Sequence, residues 1–285
     1  MPQSILASLT GLSTDRAVMD TAIAAARIGG GHLTCLHGRL DALGAAAMVE
    51  TMFPQTRFEP GQIRAMSEEG TLRTTHARAA FDNAARRHSL SVCDAPGEAP
   101  ISLSWLETRS VADETVAEAW YHDLVVMARE PELPGERIRS VLMQSGRPLL
   151  LAPPKPEPIL GRNIAIAWKA GAEAARAVAA ASSWLERAER IFILSVSHHA
   201  VGDDRDRLSA ERLATSLRWR GLNAEVQTDY AAGPEARTLE NMACDRNADL
   251  LVMGAYGHSR LREYVLGGVT QSMLASSVLP VLMVR

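Results

Sequence analysis

Cysteine and lysine are scarce in this 285-residue chain, and long apolar runs are missing. Each absence excludes something. The three cysteines, Cys35, Cys93 and Cys244, are odd in number, widely spaced and outside any C-x-x-C pair, so no disulfide framework is possible. They suit a reducing compartment and read as buried structural thiols. The only lysines are Lys155 and Lys169; the remaining positive charge is arginine, and the net charge of -3 leaves no basic excess to displace counterions from nucleic acid. Nowhere do 18 apolar residues run together without a charge, and Met1-Pro-Gln-Ser-Ile-Leu lacks the charged start of a signal peptide. A soluble, cytoplasmic protein with no membrane and no nucleic-acid partner is expected. No G-x-S-x-G elbow is present, no Walker lysine follows the glycines, and Cys244 has no evident base beside it. His198-His199 and Asp203-Asp204 are adjacent pairs on a loop without a third His or Cys nearby, so no metal site is expected. Nucleophilic catalysis finds little support.

What is there occurs twice. Ile5–Gly11 is echoed by Ile164–Ala170, Asp123–Met127 by Asp249–Met253, and Pro148–Ala152 by Pro280–Val284. Between the copies, residues 152–158 hold four prolines in seven residues, a stiff extended connection. The expected division is a domain over 1–153, a linker over 154–162 and a second domain over 163–285. Two average domains of roughly 140 residues each can bury their own cores. The first copy is the longer between its first two echoes, and much of the excess lies in Arg39 to Leu90, with a helical pattern near Arg78–Arg87.

Within each copy short apolar runs (Leu33–Leu36, Leu124–Met127, Ile191–Val196, Leu250–Met253) alternate with alanine-rich amphipathic stretches such as Asp15–Ile28, Ala172–Leu185 and Pro234–Arg246. That alternation predicts α/β architecture, a doubly wound parallel sheet with helices on both faces. Its ligand crevice lies beyond the strand C-termini. The terminal strand Val281–Val284 reads as an exposed edge, where a second chain could pair into a homodimer.

The run Asp249–Met253 empties into Gly254 and Gly257, and after a basic loop Gly267 and Gly268 open the helical pattern Thr270–Ser277. Strand, glycine turn and helix N-terminus together present bare backbone N–H groups to an anion. In the first copy Met127–Gly135 has no glycine pair, so only the second copy is expected to bind. In the intervening loop His258, Arg260 and Arg262 are either phosphate clamps or a solvated face. Glu235, just after Gly233-Pro234, reads as a first-turn acid on a helix.

These residues resemble the universal stress protein family in its tandem two-domain form. The second copy matches from Ile164 onward, most specifically at the G-2x-G-9x-G signature met by Gly254, Gly257 and Gly267. The resemblance implies five mainly parallel strands per domain, an intrachain pseudo-dimer through the last strands, and non-enzymatic binding of ATP, ADP or AMP without a required metal. By position, Gly254, Gly257, Gly267, Gly268, Val269 and Thr270 would hold phosphates and ribose, with Met253 touching the nucleotide and Val196 lining the adenine pocket. The chain departs from the family twice. Gly268 stands where Ser or Thr follows the third glycine, and Trp168-Lys169 ends the first strand where binding members carry an aspartate. Lys169 either reaches the ligand or lies over the mouth and closes it. The two main functional expectations are a nucleotide-occupied stress module read by an unknown protein partner, and a nucleotide-free interaction protein. A weak ATPase is the third and least favoured reading, and any nucleotide hydrolysis is expected to be slow and incidental.

Overall fold

The protein is described by a computed structural model over residues 3–95, 99–108, 112–129, 136–155, 159–197, 205–230, 233–256 and 268–285. The first half runs β1 (Ser4–Leu9), α1 (Asp15–Arg27), β2 (Gly31–Gly38), α2 (Ala42–Met52), α3 (Pro60–His88), β3 (Ser91–Val92), β4 (Ile101–Thr108), α4 (Ala112–Ala119), β5 (Leu124–Ala128), α5 (Glu136–Gln144) and β6 (Leu149–Ala152). The second runs β7 (Asn163–Ala167), α6 (Ala172–Ala180), α7 (Ser182–Leu185), β8 (Arg190–Ser197), α8 (Arg205–Trp219), β9 (Ala224–Tyr230), α9 (Glu235–Cys244), β10 (Leu250–Gly254), α10 (Gly268–Ser276) and β11 (Val281–Val284).

All strands join one sheet, in the order β3-β4-β2-β1-β5-β6-β11-β10-β7-β8-β9. Every pairing is parallel except β6 with β11, which run antiparallel with Leu149, Leu150 and Leu151 opposite Met283, Leu282 and Val281. Within each half the order reverses after the first strand, which leaves a crevice beyond the strand C-termini. Strands such as β5 and β11 are buried along their whole length, as two-sided coverage requires. One face is covered by α1, α3, α6 and α8 through residues such as Val18, Phe81, Ala177 and Leu217. The other is covered by α4, α5, α9 and α10 through Val116, Val141, Leu239 and Met273.

Three expectations are corrected. Val281–Val284 is no exposed edge: β10 takes one side of it and β6 the other, so no ladder is left there for a homodimer. The sheet's edges are β3 and β9 instead. The excess of the first half is larger in helix than the sequence pattern indicates. It is α2 plus the 29-residue α3, which starts at a Glu59–Gln62 capping box and buries only Gly70, Ala77, Phe81 and Ala84. So few apolar contacts blur its periodicity. Cys244 is exposed on α9, not buried, whereas Cys35 is buried beside Met19 and burial pushes its thiol far up.

The repeated aspartates have a shared task. Asp123 accepts the backbone N–H groups of Gln3 and Ser4, and Asp249 accepts those of Gly161, Arg162 and Asn163 at 2.6–3.1 Å. Each pins the start of a half's first strand to the start of the strand paired beside it, β1 to β5 and β7 to β10. Asp249→Ala leaves three donors without that partner and is expected to cost about 1–3 kcal/mol in urea denaturation. An unchanged midpoint would show that water replaces the carboxylate without loss.

Candidate functional site

Where β7, β8 and β10 end, a cavity of about 300 Å³ opens, at the lower end of the range for small-molecule sites. Its floor is apolar: Ala167 from β7, Val196 from β8, Met253 from β10 and Leu239 from α9. The first turns of three helices converge on it, bringing Glu173 and Ala174 of α6, Glu235 of α9, and Gly268, Val269 and Thr270 of α10. The opening N–H groups of a helix have no carbonyl within the helix to bond, and the dipole makes that end partly positive. The wall formed by α10 is therefore suited to an anionic group.

Of the residues expected from the sequence, Trp168, Lys169, Val196, Met253, Gly254, Gly268, Val269 and Thr270 all line this one cavity. Gly257, His258, Gly267, Arg260 and Arg262 lie outside the described residues, as do His198, His199, Asp203 and Asp204. Among the described residues no group of His, Cys, Asp and Glu could hold a metal ion.

Side-chain detail refines several roles. Trp168 is held in place at both ends: its N–H donates to the Leu194 carbonyl at 2.8 Å and its indole Nε1 to Ser209 Oγ at 3.0 Å. Lys169, next in the chain, is exposed at the mouth, and the space below it is open. The lysine therefore does not close the pocket. Thr270 is buried, and its Oγ1 accepts from the Tyr256 N–H at 3.5 Å. Its hydroxyl oxygen ties the helix to the end of β10. Glu235 is the first-turn acid expected, and it also faces the cavity.

Gly254 is explained by packing. A Cβ there would lie 2.5 Å from the Ala174 nitrogen and 2.7 Å from the Glu173 carbonyl carbon. The space a side chain would occupy is taken by the first turn of α6, not kept for a ligand. Gly268 is the opposite case: among the described residues nothing lies within 4 Å of its would-be Cβ. Sequence reasoning missed Gly171, Glu173, Ala174, Ala167 and Leu239 as lining residues. Gly171, just before α6, and Leu239, one turn after Glu235 on the buried side of α9, carry a positional signal; the others need the fold.

The matching crevice of the first half is filled by the protein itself. Asp15, buried at the start of α1, accepts from the backbone N–H groups of Thr10 and Gly11, each at 2.8 Å, and from Thr10 Oγ1 at 3.1 Å. The donors at the strand end are thus consumed by an internal anion, whose carboxyl burial nonetheless pushes up. Arg137 of α5 donates to Ser8 Oγ at 2.8 Å. His37, buried at the end of β2, spans from the Leu9 carbonyl to Thr74 Oγ1 of α3, both 3.1 Å away, and stacks on Trp105. The helix lies so close that a Cβ on Gly11 would sit 2.2 Å from the Arg73 oxygen. What space is left between Ser8, Thr10, Asp15 and Met127 is too small for a water molecule.

The model of the universal stress protein family matches residues 162–285. A universal stress protein of Bacillus subtilis, YxiE, is 32% identical over 97 residues, 33% of this chain and 66% of that protein. One from Synechocystis is 34% identical over 61 residues, 21% of each chain. The matched stretches thus span less than two thirds of these relatives' length. The crystal structure of a universal stress protein from Archaeoglobus fulgidus superposes on 99% of this chain and 96% of its own at a TM-score of 0.67 and 14% identity, which shows a common fold along both halves.

Two glycine substitutions separate packing from openness. Gly254→Ala is expected to push α6 off β10 and cost about 1–3 kcal/mol, while Gly268→Ser stays within about 0.5 kcal/mol, both by thermal and urea denaturation. Gly11→Ala, strained by its φ of 77° as well as by Arg73, is expected to lose about 3 kcal/mol or more and to expose α3 to proteolysis. Wild-type resistance in that variant would show that α3 does not rest on this loop.

Proposed function

With a universal stress protein domain over residues 162–285 and the same fold repeated along the chain, this protein belongs to the universal stress protein family, and we propose that its C-terminal cavity binds an adenine nucleotide, ATP, ADP or AMP, without turning it over. One observation carries this reading. The open cavity combines an apolar floor, fit for a flat base, with the N-terminal turn of α10, fit for a phosphate. Lys169 at the mouth offers its ammonium to the ligand, and the described residues lining the cavity include no arranged nucleophile and base. Occupancy would report a stress or energy state to a protein partner in the cytoplasm. Among the described residues the matching crevice of the N-terminal half offers no second nucleotide site, because its own carboxylate, guanidinium and α3 occupy the place.

Phosphate contacts alone fall short. Two or three charge-assisted bonds to backbone N–H groups supply roughly 1.5–3 kcal/mol each, before the cost of association. Micromolar affinity needs about 8 kcal/mol net, so base burial against Val196, Leu239 and Met253 has to contribute. The competing reading, an interaction protein that binds no nucleotide, draws on Glu173 and Glu235, which line the cavity and repel phosphate at close range.

Titration calorimetry with ATP, ADP and AMP decides between them. Wild type is expected to bind at least one with micromolar to submillimolar affinity. Val269→Asp, which sets a carboxylate in the first turn of α10, is expected to weaken it at least tenfold, and Lys169→Ala several-fold. No binding of any of the three at millimolar concentration would overturn the nucleotide reading. Phosphate release from ATP that Val269→Asp abolishes would overturn the non-enzymatic part of it.

A further inference from the structure

Helix α2 is poorly explained by the fold it belongs to. It buries only Ala42 and Ala46, and its single charged residue, Glu50, is already engaged by Arg57 and by the Phe58 N–H. A helix that meets water on most of its surface ordinarily carries a charged outer face. Here the outer positions are Leu43, Gly44, Ala47, Met48, Thr51 and Met52, and none is charged. Leu43 is 70% exposed, Met48 63%, Met52 58% and the following Phe53 51%. Around the exposed half of the helix these large side chains amount to on the order of 500 Å² of apolar surface, the size of the largest patch a typical monomer carries, and such patches are often functional.

The face has both a projection and a recess. At its C-terminal end stands Phe53. At its N-terminal end a cleft of about 570 Å³ opens between α2 and α3, bounded by Leu40, Leu43 and Ile63 with Arg39 and Arg64 at its rim. The two ends are about 16 Å apart, since α2 has eleven residues. We infer that this face is a self-association surface, on which a second copy of the chain packs α2 antiparallel to α2 about a two-fold axis near Met48. That arrangement sets each Phe53 over the other chain's cleft, an aromatic anchor in a pocket repeated by symmetry. It also sets the two helix dipoles antiparallel, with the C-terminal end of each, where no basic last-turn residue stands, beside the N-terminal end of the other. Contact of both faces buries about 1,000 Å² in total, the lower bound for a specific interface.

Charge selects this occupant over others. Residues 39–73 hold four arginines and five carboxylates. Arg57–Glu50, Arg64–Glu68 and Arg73–Glu69 are paired within the chain. A near-neutral surface with its charges paired gives an anionic membrane little to attract, and two copies meet without repulsion.

Sedimentation of the full-length protein between 1 and 200 µM, without nucleotide, tests this independently of the ligand reading. Wild type is expected to shift with concentration from the 30.8 kDa chain to twice that mass. Met48→Glu and Met48→Lys are each expected to raise the dissociation constant at least 30-fold at unchanged thermal midpoint, since Met48 is mostly exposed in the monomer. An equimolar mixture of the two is expected to associate again, and Phe53→Ala to weaken wild-type association at least tenfold. Wild type that stays at 30.8 kDa at 200 µM overturns the proposal. So does a dimer insensitive to Met48, or a mixture that stays monomeric. If monomeric wild type sediments with phosphatidylserine vesicles and Met48→Glu does not, the face is a membrane surface instead and the proposal is equally overturned.

Discussion

The antiparallel seam between β6 and β11 is the contact on which the architecture rests. Each half ends in a short apolar strand whose outer ladder, left in water, would be an adhesive edge. Pairing the two removes both edges at once and turns two sheets into one. Arginines cross the seam in both directions: Arg129 donates to the Ala275 carbonyl at the end of α10, and Arg285 to the Met143 carbonyl near the end of α5. Each places a cation at the negative end of a helix in the other half. The helix whose first turn walls the open cavity is therefore held at its far end by the other half.

The two crevices show how one scaffold is opened or closed. In both, a strand end delivers backbone donors toward a helix start. In the first, Asp15 lies within reach of those donors and α3 presses on the loop, so the polar groups are satisfied internally and no space remains. In the second, the corresponding loop carries Trp168 and Lys169, the tryptophan is held aside by Ser209, and the space stays open. The insertion between β2 and β4 thus closes the first crevice with α3, and it also carries the unpartnered α2, on the same exposed excursion of the chain.

Much of this was legible in the residues. The echoed aspartates, the apolar runs and the glycine signature located the strands, and eight expected site residues meet at one cavity because strand ends and helix starts are local features of sequence. Less legible were the meanings of individual glycines. Gly254 and Gly268 look alike in a motif, yet one makes room for α6 and the other meets no described residue within 4 Å. The length of α3 was hidden too, since a helix that buries four residues in 29 leaves a faint apolar rhythm.

Hydrophobic alternation and turn chemistry, both read within a few residues, determined the α/β class, the duplication and the position of the helix start that walls the cavity. Which edge is covered, which crevice is filled and what a given glycine makes room for were decided only in three dimensions. Those outcomes depend on atoms that are distant in the chain, as Gly254 is from Ala174, Gly11 from Arg73 and Val281 from Leu151. Close packing lets two atoms contend for one space only once the chain has brought them together.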